Sequence, residues 1–468
     1  MEFNGMVPLP HFFKERMRKR LGGEYADFEA SLAEDAPVSF RLNPAKWRGA
    51  LTEERVPWCS TGYYLADRPL FTADPWFHGG VYYVQEPASM FLEQAFRALD
   101  LPRPALVLDL CGAPGGKTTH LLSLLNPGDL VVANEVIRSR AAILLENILK
   151  WGHPNVLVTN SDPEDFGRMG NTFDLIVTDA PCSGEGLFRK DRGSVGEWSP
   201  GNAEHCASRQ KRILSEAWKC LKPGGYLLYS TCTWNPAENE ENIDWLISRS
   251  EAVPVEVETK PEWHIETIRY RNVVGYQFLP HLTKGEGFFL AVVRKPGIPD
   301  RGSLPGHPTR FFVPVQKSIA SALGAWTDPI YPGTFLSKDD IYMVFPTAWL
   351  PVLAFLEKNV RVLQPGTPVA TAMKEQFIPH PALAHSLILN RRAFSVASPG
   401  LADAVRYLRK ESLSPEYGEK GWVLVSYREI PLGWLKNLGN RTNNYFPGER
   451  RIRMQIAAVP VPWHEKSV

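Results

Sequence analysis

The chain has 468 residues, 44% of them apolar, enough for about three domains with real cores, which excludes a short disordered or fibrous protein. Lysine plus arginine number 52 against 51 aspartate plus glutamate, so the formal charge is +1 and any nucleic-acid surface must be local. Six cysteines, none of them in a CxxC pair, exclude a disulfide framework and point to a reducing cytosol without structural zinc.

The opening MEFNGMVPLPHFFKERMRKR lacks the apolar core of a signal peptide, and no later run approaches the roughly 18 residues of a membrane span. A soluble, cytoplasmic protein is expected. Residues 1–95 form a mixed segment whose Lys14, Arg16, Arg18, Lys19 and Arg20 mark a basic amphipathic helix, either a solvated face or an RNA contact. From 96 to 297, β-branched runs at 105–110, 130–135, 155–160, 174–181 and 226–232 alternate with helical patterns, which predicts an α/β domain with a doubly wound parallel sheet. Between the last two, Ile213, Leu214, Ala217, Trp218 and Leu221 recur at helical spacing until Lys222-Pro223-Gly224-Gly225 stops them. The Pro/Gly-rich stretch 294–310 contains a linker, placed at 298–310. Residues 311–390 are ambiguous, and 391–460 alternate and then turn glycine-rich, which predicts a small β-rich module.

The first strand of the α/β domain runs into Cys111-Gly112-Ala113-Pro114-Gly115-Gly116-Lys117, where glycines let backbone amides approach a ligand. A phosphate-cradling Walker loop is excluded because Cys111 stands where its first glycine belongs, and a dinucleotide GxGxxG because Pro114 replaces the second. Glu135, about 20 residues past the loop, suits the two hydroxyls of a ribose. Asp162 and Asp179 follow the next strands, so three carboxylates gather at one sheet edge, an anionic pocket that suits the sulfonium of S-adenosylmethionine better than a pyrophosphate. The alternative for each acid alone is a helix or turn cap.

Cys182, in Asp179-Ala180-Pro181-Cys182-Ser183-Gly184, and Cys232, in Ser230-Thr231-Cys232-Thr233, end adjacent strands beside that pocket. An exocyclic amine attacks a sulfonium methyl unaided, whereas a pyrimidine 5-carbon needs a thiolate on its neighbouring 6-carbon, and afterwards a base to remove the displaced proton. A pair of thiols supplies both. Cys59, Cys111, Cys206 and Cys220 read as buried small hydrophobes in their thiol chemistry. Asn235-Pro236-Ala237-Glu238 has a capping-box pattern, which predicts a helix beginning three residues past Cys232, its dipole near the thiol.

These motifs resemble the RNA (cytosine-5) methyltransferases of the Sun group, within it the RsmF-like branch acting on small-subunit ribosomal RNA. Further matches are Ser39-Phe40-Arg41-Leu42-Asn43, Tyr83-Val84-Gln85-Glu86-Pro87-Ala88-Ser89, Phe188-Arg189-Lys190-Asp191, Leu279-Pro280-His281 and Gly285-Glu286-Gly287-Phe288-Phe289. The resemblance implies a class I Rossmann-like methyltransferase domain, an N-terminal RNA-binding extension and a C-terminal PUA-like module. It assigns S-adenosylmethionine to Cys111 through Lys117, the ribose to Glu135 and the adenine region to Asp162, with Asp179 near the methyl donor and the base. It also makes Cys232 the nucleophile and Cys182 the residue that helps release product; that order rests on the resemblance alone. The loop reads CGAPGGKT where CAAPGSKT is expected, an exchange of small residues for smaller ones.

The partners implied are ribosomal RNA or the small subunit, with no metal, no membrane and a monomeric chain. In the tail, Lys436, Arg441, Arg450, Arg451 and Arg453 interleaved with Tyr445 and Phe446 suit RNA, and so in the active-site loop do Arg189 and Lys190, each with a solvated loop as its alternative. The rival readings are the same chemistry on transfer RNA, amine or ribose methylation in which neither thiol matters, and a non-catalytic RNA-binding assembly factor.

Overall fold

The structure, a computed structural model, describes residues 8–465 except 48, 50, 299–307, 375 and 457–458. Most of the expected linker 298–310 lies outside the described residues. Helices α1 (His11–Leu21) and α2 (Tyr25–Ser31) open the chain, and five more position the site: α3 (Gly116–Leu124), α4 (Arg138–Trp151), α5 (Pro163–Gly167), α6 (Pro200–Cys220) and α7 (Glu240–Ser250).

The central sheet is built from β1 (Leu106–Asp109), β2 (Leu130–Asn134), β3 (Val156–Thr159), β4 (Phe173–Asp179), β5 (Leu221–Thr231), β6 (Glu266–Tyr270), β7 (Val273–Phe278), β8 (Phe288–Arg294) and β9 (Val362–Pro365). Their spatial order is β6-β7-β8-β5-β4-β1-β2-β3-β9, and the short strand Val253–Pro254 pairs with β8 to make ten. Strands β1 to β5 are mutually parallel and the outer ones antiparallel. β1, β2 and β3 are buried along their whole length, as expected of apolar runs with helices on both faces. The chain walks outward from β1 to β3 and then returns to β4 beside β1. That reversal opens a crevice at the carboxyl ends of β1 and β4, where doubly wound sheets bind ligands.

Helix α4 shows how the sequence builds a covering layer. Ala141, Leu144 and Ile148 recur at helical spacing and are buried, and Gly152 ends the helix at φ +87°. A Cβ at Gly152 would lie 2.0 Å from the carbonyl oxygen of His385, so the position requires glycine. Helix α6 starts on Ser199, whose hydroxyl accepts from the Asn202 amide, and stops at Cys220. Strand β5 begins at once, at Leu221 rather than near Tyr226, and a register slip between Phe173 and Leu175 absorbs the Pro-Gly-Gly turn.

Residues 311–390, ambiguous in sequence, form an antiparallel sheet of Val313–Pro314, Gly333–Lys338, Ile341–Pro346, Thr367–Met373 and Gln376–Pro379. Pro346 closes a strand and Pro351 sits in the first turn of the helix Leu350–Asn359, so the prolines that made the segment unreadable are its element boundaries. The tail is β-rich as expected, with Ser395–Ala397, Gly421–Tyr427, Ile430–Asn437 and Thr442–Asn444 in one sheet. Its apolar face shares a single core with the N-terminal strands Val38–Leu42, Gly62–Leu65 and Tyr82–Val84. There Trp463 packs on Phe40, and His464 stacks on Trp76 with its ring nitrogen on Asp74. The two ends of the chain are thus welded together. Among the described residues, no helix is long and apolar enough to cross a membrane.

Candidate active site

The loop after β1 and the start of α3 form one wall of a cavity of about 300 Å³. Gly115 has φ +115°, and α3 begins at the next residue with no side-chain cap, which leaves its first-turn amides available to a ligand. Arg41, fully buried, holds that turn through Gly116 O (3.3 Å), Thr119 Oγ1 (2.6 Å) and Gln85 Oε1 (3.0 Å). Gly112 is confined by Thr118 Oγ1 and Asp109 Oδ2, 3.0 and 3.3 Å from where a Cβ would stand, whereas a Cβ at Gly116 would meet nothing closer than 3.5 Å. The alanine and serine expected at these two positions therefore fit with shifts of a few tenths of an ångström or none. Gly115→Ala should cost about 1–3 kcal/mol of stability by forcing a side chain into the left-handed region, read as a lower Tm and weaker binding of S-adenosylhomocysteine by calorimetry.

Asp109 ends β1 beneath this loop, fully buried, with Oδ2 on the Thr118 hydroxyl at 2.5 Å and Oδ1 without a partner among the described residues. Burial pushes its carboxyl up to about 7, against the Thr118 hydrogen bond and with help from Asp179 and Glu135. Because the folded value is raised, its contribution favours the fold at low pH and is lost as pH rises from about 4 through about 7. Urea unfolding should therefore show Asp109→Asn gaining on the wild type by a few kcal/mol between about pH 5 and about pH 8.

Cys232, Asp179, Leu187, Glu286, Gly287 and Phe288 also line the cavity. Lys117 Nζ lies 2.8 Å from Asp179 Oδ2, and the Ser230 hydroxyl donates to Asp179 Oδ1 at 2.8 Å. The two thiols are 3.2 Å apart, with Cys232 on the cavity wall and Cys182 behind it. The Cys232 sulfur and burial together hold the Cys182 thiol well above the ordinary cysteine range. Beneath them is a buried polar network. Glu238 accepts from the Ser183 amide (2.8 Å) and hydroxyl (2.5 Å) and from Gln210 Nε2 (3.1 Å), and Gln210 also donates to Pro181 O (3.0 Å). Gly186 donates its amide to Cys232 O at 2.9 Å, and a Cβ there would strike Gly287 O at 2.5 Å, so three loops meet with no room to spare. Glu286, in the last of these loops, is joined to Glu86, whose carboxylate accepts from the Ala88, Ser89 and Glu286 amides.

A second support comes from the N-terminus. Phe13, Met17 and Phe28 pack on Phe188, Trp198 and Trp234, the last only two residues past Cys232. Arg16 pairs at 2.6 Å with fully buried Glu185, which also accepts from the Trp234 amide and Trp198 Nε1.

Comparison with known proteins agrees with this geometry. The family described as 16S rRNA methyltransferase RsmB/F matches residues 97–294, its RsmF N-terminal domain residues 9–87 and its RsmF PUA domain residues 395–452. The ribosomal RNA small subunit methyltransferase F of Klebsiella pneumoniae is 31% identical over 430 residues, 88% of this chain and 86% of that protein. That of Escherichia coli is 30% identical, covering 95% and 96% of the two chains. The chain belongs to this family of small-subunit ribosomal RNA methyltransferases. Among solved structures, a methyltransferase homolog from Pyrococcus horikoshii aligns with a TM-score of 0.52 at 27% identity, covering 61% of this chain and 94% of that one. The NSun6 structure from the same organism has the same TM-score at 21% identity and supports the fold alone.

Within this family member, the expected site residues divide. Cys111, Gly112, Ala113, Pro114, Gly116, Lys117, Asp179 and Cys232 all line the cavity, and Gly115 lies in its loop. Glu135 is buried at the loop's edge, one oxygen held by the Ile137 amide at 2.9 Å and the other 3.6 Å from Arg140. Asp162 is not on the cavity wall: it caps α5 through the Glu164 amide and pairs with Arg212 at 3.0 Å, the capping role that was its alternative. The helix expected three residues past Cys232 starts at Glu240 instead, because Asn235 turns the chain and Glu238 points inward to Ser183. The helix whose dipole was expected beside Cys232 therefore begins eight residues past it rather than three.

The basic residues also sort differently. Besides Arg16, Arg20 pairs with Glu266 and Lys14 with Glu29, so most of the charge of α1 is spent inside the protein. Arg189 is buried against Glu286 at 3.1 Å, whereas Lys190 is exposed. In the tail Phe446 is core, Tyr445 packs on Trp422, and Arg450 is turned inward to Glu146; Arg441, Arg451 and Arg453 face outward. One group of metal-type donors converges among the described residues, Cys59, Glu93 and His120. Glu93 is already held by Arg97 and the Ser60 amide, and burial lowers His120 to about 4 and so keeps it neutral.

Proposed function

We propose that the cavity methylates the 5-carbon of a cytosine in small-subunit ribosomal RNA through a covalent bond between Cys232 and the 6-carbon. The observation that carries the proposal is the pair of sulfurs 3.2 Å apart, one of which lines the same cavity as the glycine loop. In this reading the amides of the loop from Cys111 to Lys117 bind S-adenosylmethionine, and the Glu135 carboxylate, whose second oxygen faces Arg140 at 3.6 Å, takes the ribose hydroxyls. When bound, that cofactor supplies the electrophilic methyl group.

Cys232, its proton having passed to solvent, adds as a thiolate to C6, and the electron pair displaced from the C5–C6 bond makes C5 nucleophilic. Asp179, held between Lys117 and the Ser230 hydroxyl, steadies the activated ring. After C5 has gained its methyl group, Cys182, its own proton having passed to solvent, removes the C5 proton as a thiolate, and the pair from that C–H bond restores the double bond and expels the Cys232 sulfur as a thiolate. The influences that hold Cys182 as a thiol also make its thiolate a stronger base. A thiol on one face of the ring and a methyl donor near the other require an unstacked cytosine, so the substrate is a loop, a junction or an extruded base.

Bisulfite mapping of small-subunit ribosomal RNA from cells with and without the gene tests the function. A protected cytosine that becomes convertible on deletion is the expected result, and an unchanged map overturns it.

A further inference from the structure

The seam where α4 ends against the N-terminal segment and the closing module gathers positive charge with little to balance it. Lys46 Nζ donates to the carbonyls of Gly79 (2.9 Å) and Lys150 (2.8 Å), capping α4, and makes no ion pair among the described residues. Lys150, in the last turn of α4, is buried with its ammonium 4.3 Å from the centre of the Phe77 ring and likewise has no ion pair there. Arg450 arrives from the closing module. Its Nε faces Glu146 at 3.2 Å, while its Nη2 is buried without a hydrogen-bond partner. His385, whose backbone abuts Gly152 at the end of α4, is 2% exposed, and neither ring nitrogen has a partner.

The electrostatics agree with this geometry. Burial first, and then the charges of Arg450, Lys46 and Lys150, hold His385 neutral, and burial with Arg450 brings Lys150 down to about 8. Buried donors without acceptors are costly, and buried cations without counter-ions more so. Four segments distant in sequence bring Lys46, Lys150, His385 and Arg450 to one seam, where the half-exposed Glu146 pairs with Arg450 and Glu449 also acts on it.

We propose that this seam is a binding site for one phosphate group. Its oxygens would accept from Arg450 Nη2, the Lys150 ammonium and a His385 N–H, and its charge would balance the cations, as in other guanidinium–phosphate contacts. None of these residues lines the catalytic cavity, so the site is separate from the methylation chemistry. The phosphate is either free or carried by the RNA backbone. The second source rests on ribosomal RNA being the substrate, but not on the thiol mechanism, and would clamp the closing module and α4 onto one strand.

Two measurements on the full chain decide it, using wild type, Lys150→Gln/Arg450→Gln and the charge-conserving Lys150→Arg. In thermal unfolding at constant ionic strength, replacing chloride by inorganic phosphate should raise the Tm of wild type and Lys150→Arg, and not that of the double variant. In fluorescence anisotropy with a labelled stem-loop of small-subunit ribosomal RNA, the double variant should bind several-fold more weakly. Its log–log salt slope should be shallower by about 1, the change expected for one lost phosphate contact. Both effects together assign the site to RNA phosphate, and the Tm effect with unchanged RNA binding assigns it to a free anion. If phosphate leaves the wild-type Tm unchanged and the double variant binds RNA normally, these cations only cap α4 and the proposal is wrong.

Discussion

Cys182→Ala should accumulate a protein–RNA conjugate that survives denaturation, whereas Cys232→Ala should form no conjugate and no methylated product. The asymmetry follows from the order of bond making. The first thiolate creates the nucleophilic 5-carbon, so without Cys232 the barrier returns to that of an aromatic ring and turnover is lost. In the proposed mechanism Cys182 enters only after methyl transfer, when the C5 proton must leave before the sulfur can. Removing it leaves a methylated, saturated C5–C6 unit still bonded to Cys232. The 3.2 Å separation of the sulfurs and the cavity exposure of Cys232 alone support this division. A denaturing gel with labelled RNA reads the conjugate, and the opposite pattern would exchange the two roles.

Asp179→Asn should lower kcat on the order of 10²–10³-fold, the scale on which loss of one preorganised electrostatic group acts. The substitution keeps the Ser230 hydrogen bond geometrically possible but removes the charge that faces Lys117 at 2.8 Å. Lys117 then loses the carboxylate it pairs with at 2.8 Å, and in the proposed mechanism the ring loses the group that steadies it. Because Asp179 is not packed in the core, its side chain being 37% exposed, the Tm should move little. Single-turnover rates together with thermal unfolding separate the catalytic loss from a folding defect. A wild-type rate in Asp179→Asn would remove this residue from the mechanism.

The parallel sheet was legible because β1, β2 and β3 are apolar runs closed by turn residues, and the loop and both thiols fall at their expected strand ends. What local pattern could not show was which partner a polar group would find. Asp109 reads as the end of a strand, yet one of its oxygens is orphaned below the glycine loop; an acid closing an otherwise apolar strand was the available signal. Glu238 fits a capping box, but its carboxylate is taken by Ser183 and Gln210, residues far away in sequence. The arginines of α1 announce positive charge without announcing Glu185 and Glu266, and Phe446 and Arg450 look like a surface until the shared core of the two chain ends is built. Asp162 follows its strand at the sheet edge as expected and also makes the local cap, a combination the sequence pattern offers only as alternatives.

Ribosomal RNA substrate carrying 5-fluorocytosine at the mapped site has no proton on C5 to surrender, so methylation there should leave the base bonded to the enzyme. Proteolysis and mass spectrometry should find the nucleotide, one methyl group heavier, on the peptide that contains Cys232. Attachment through Cys182, or methylated fluorocytosine released without any bond to protein, would contradict the account.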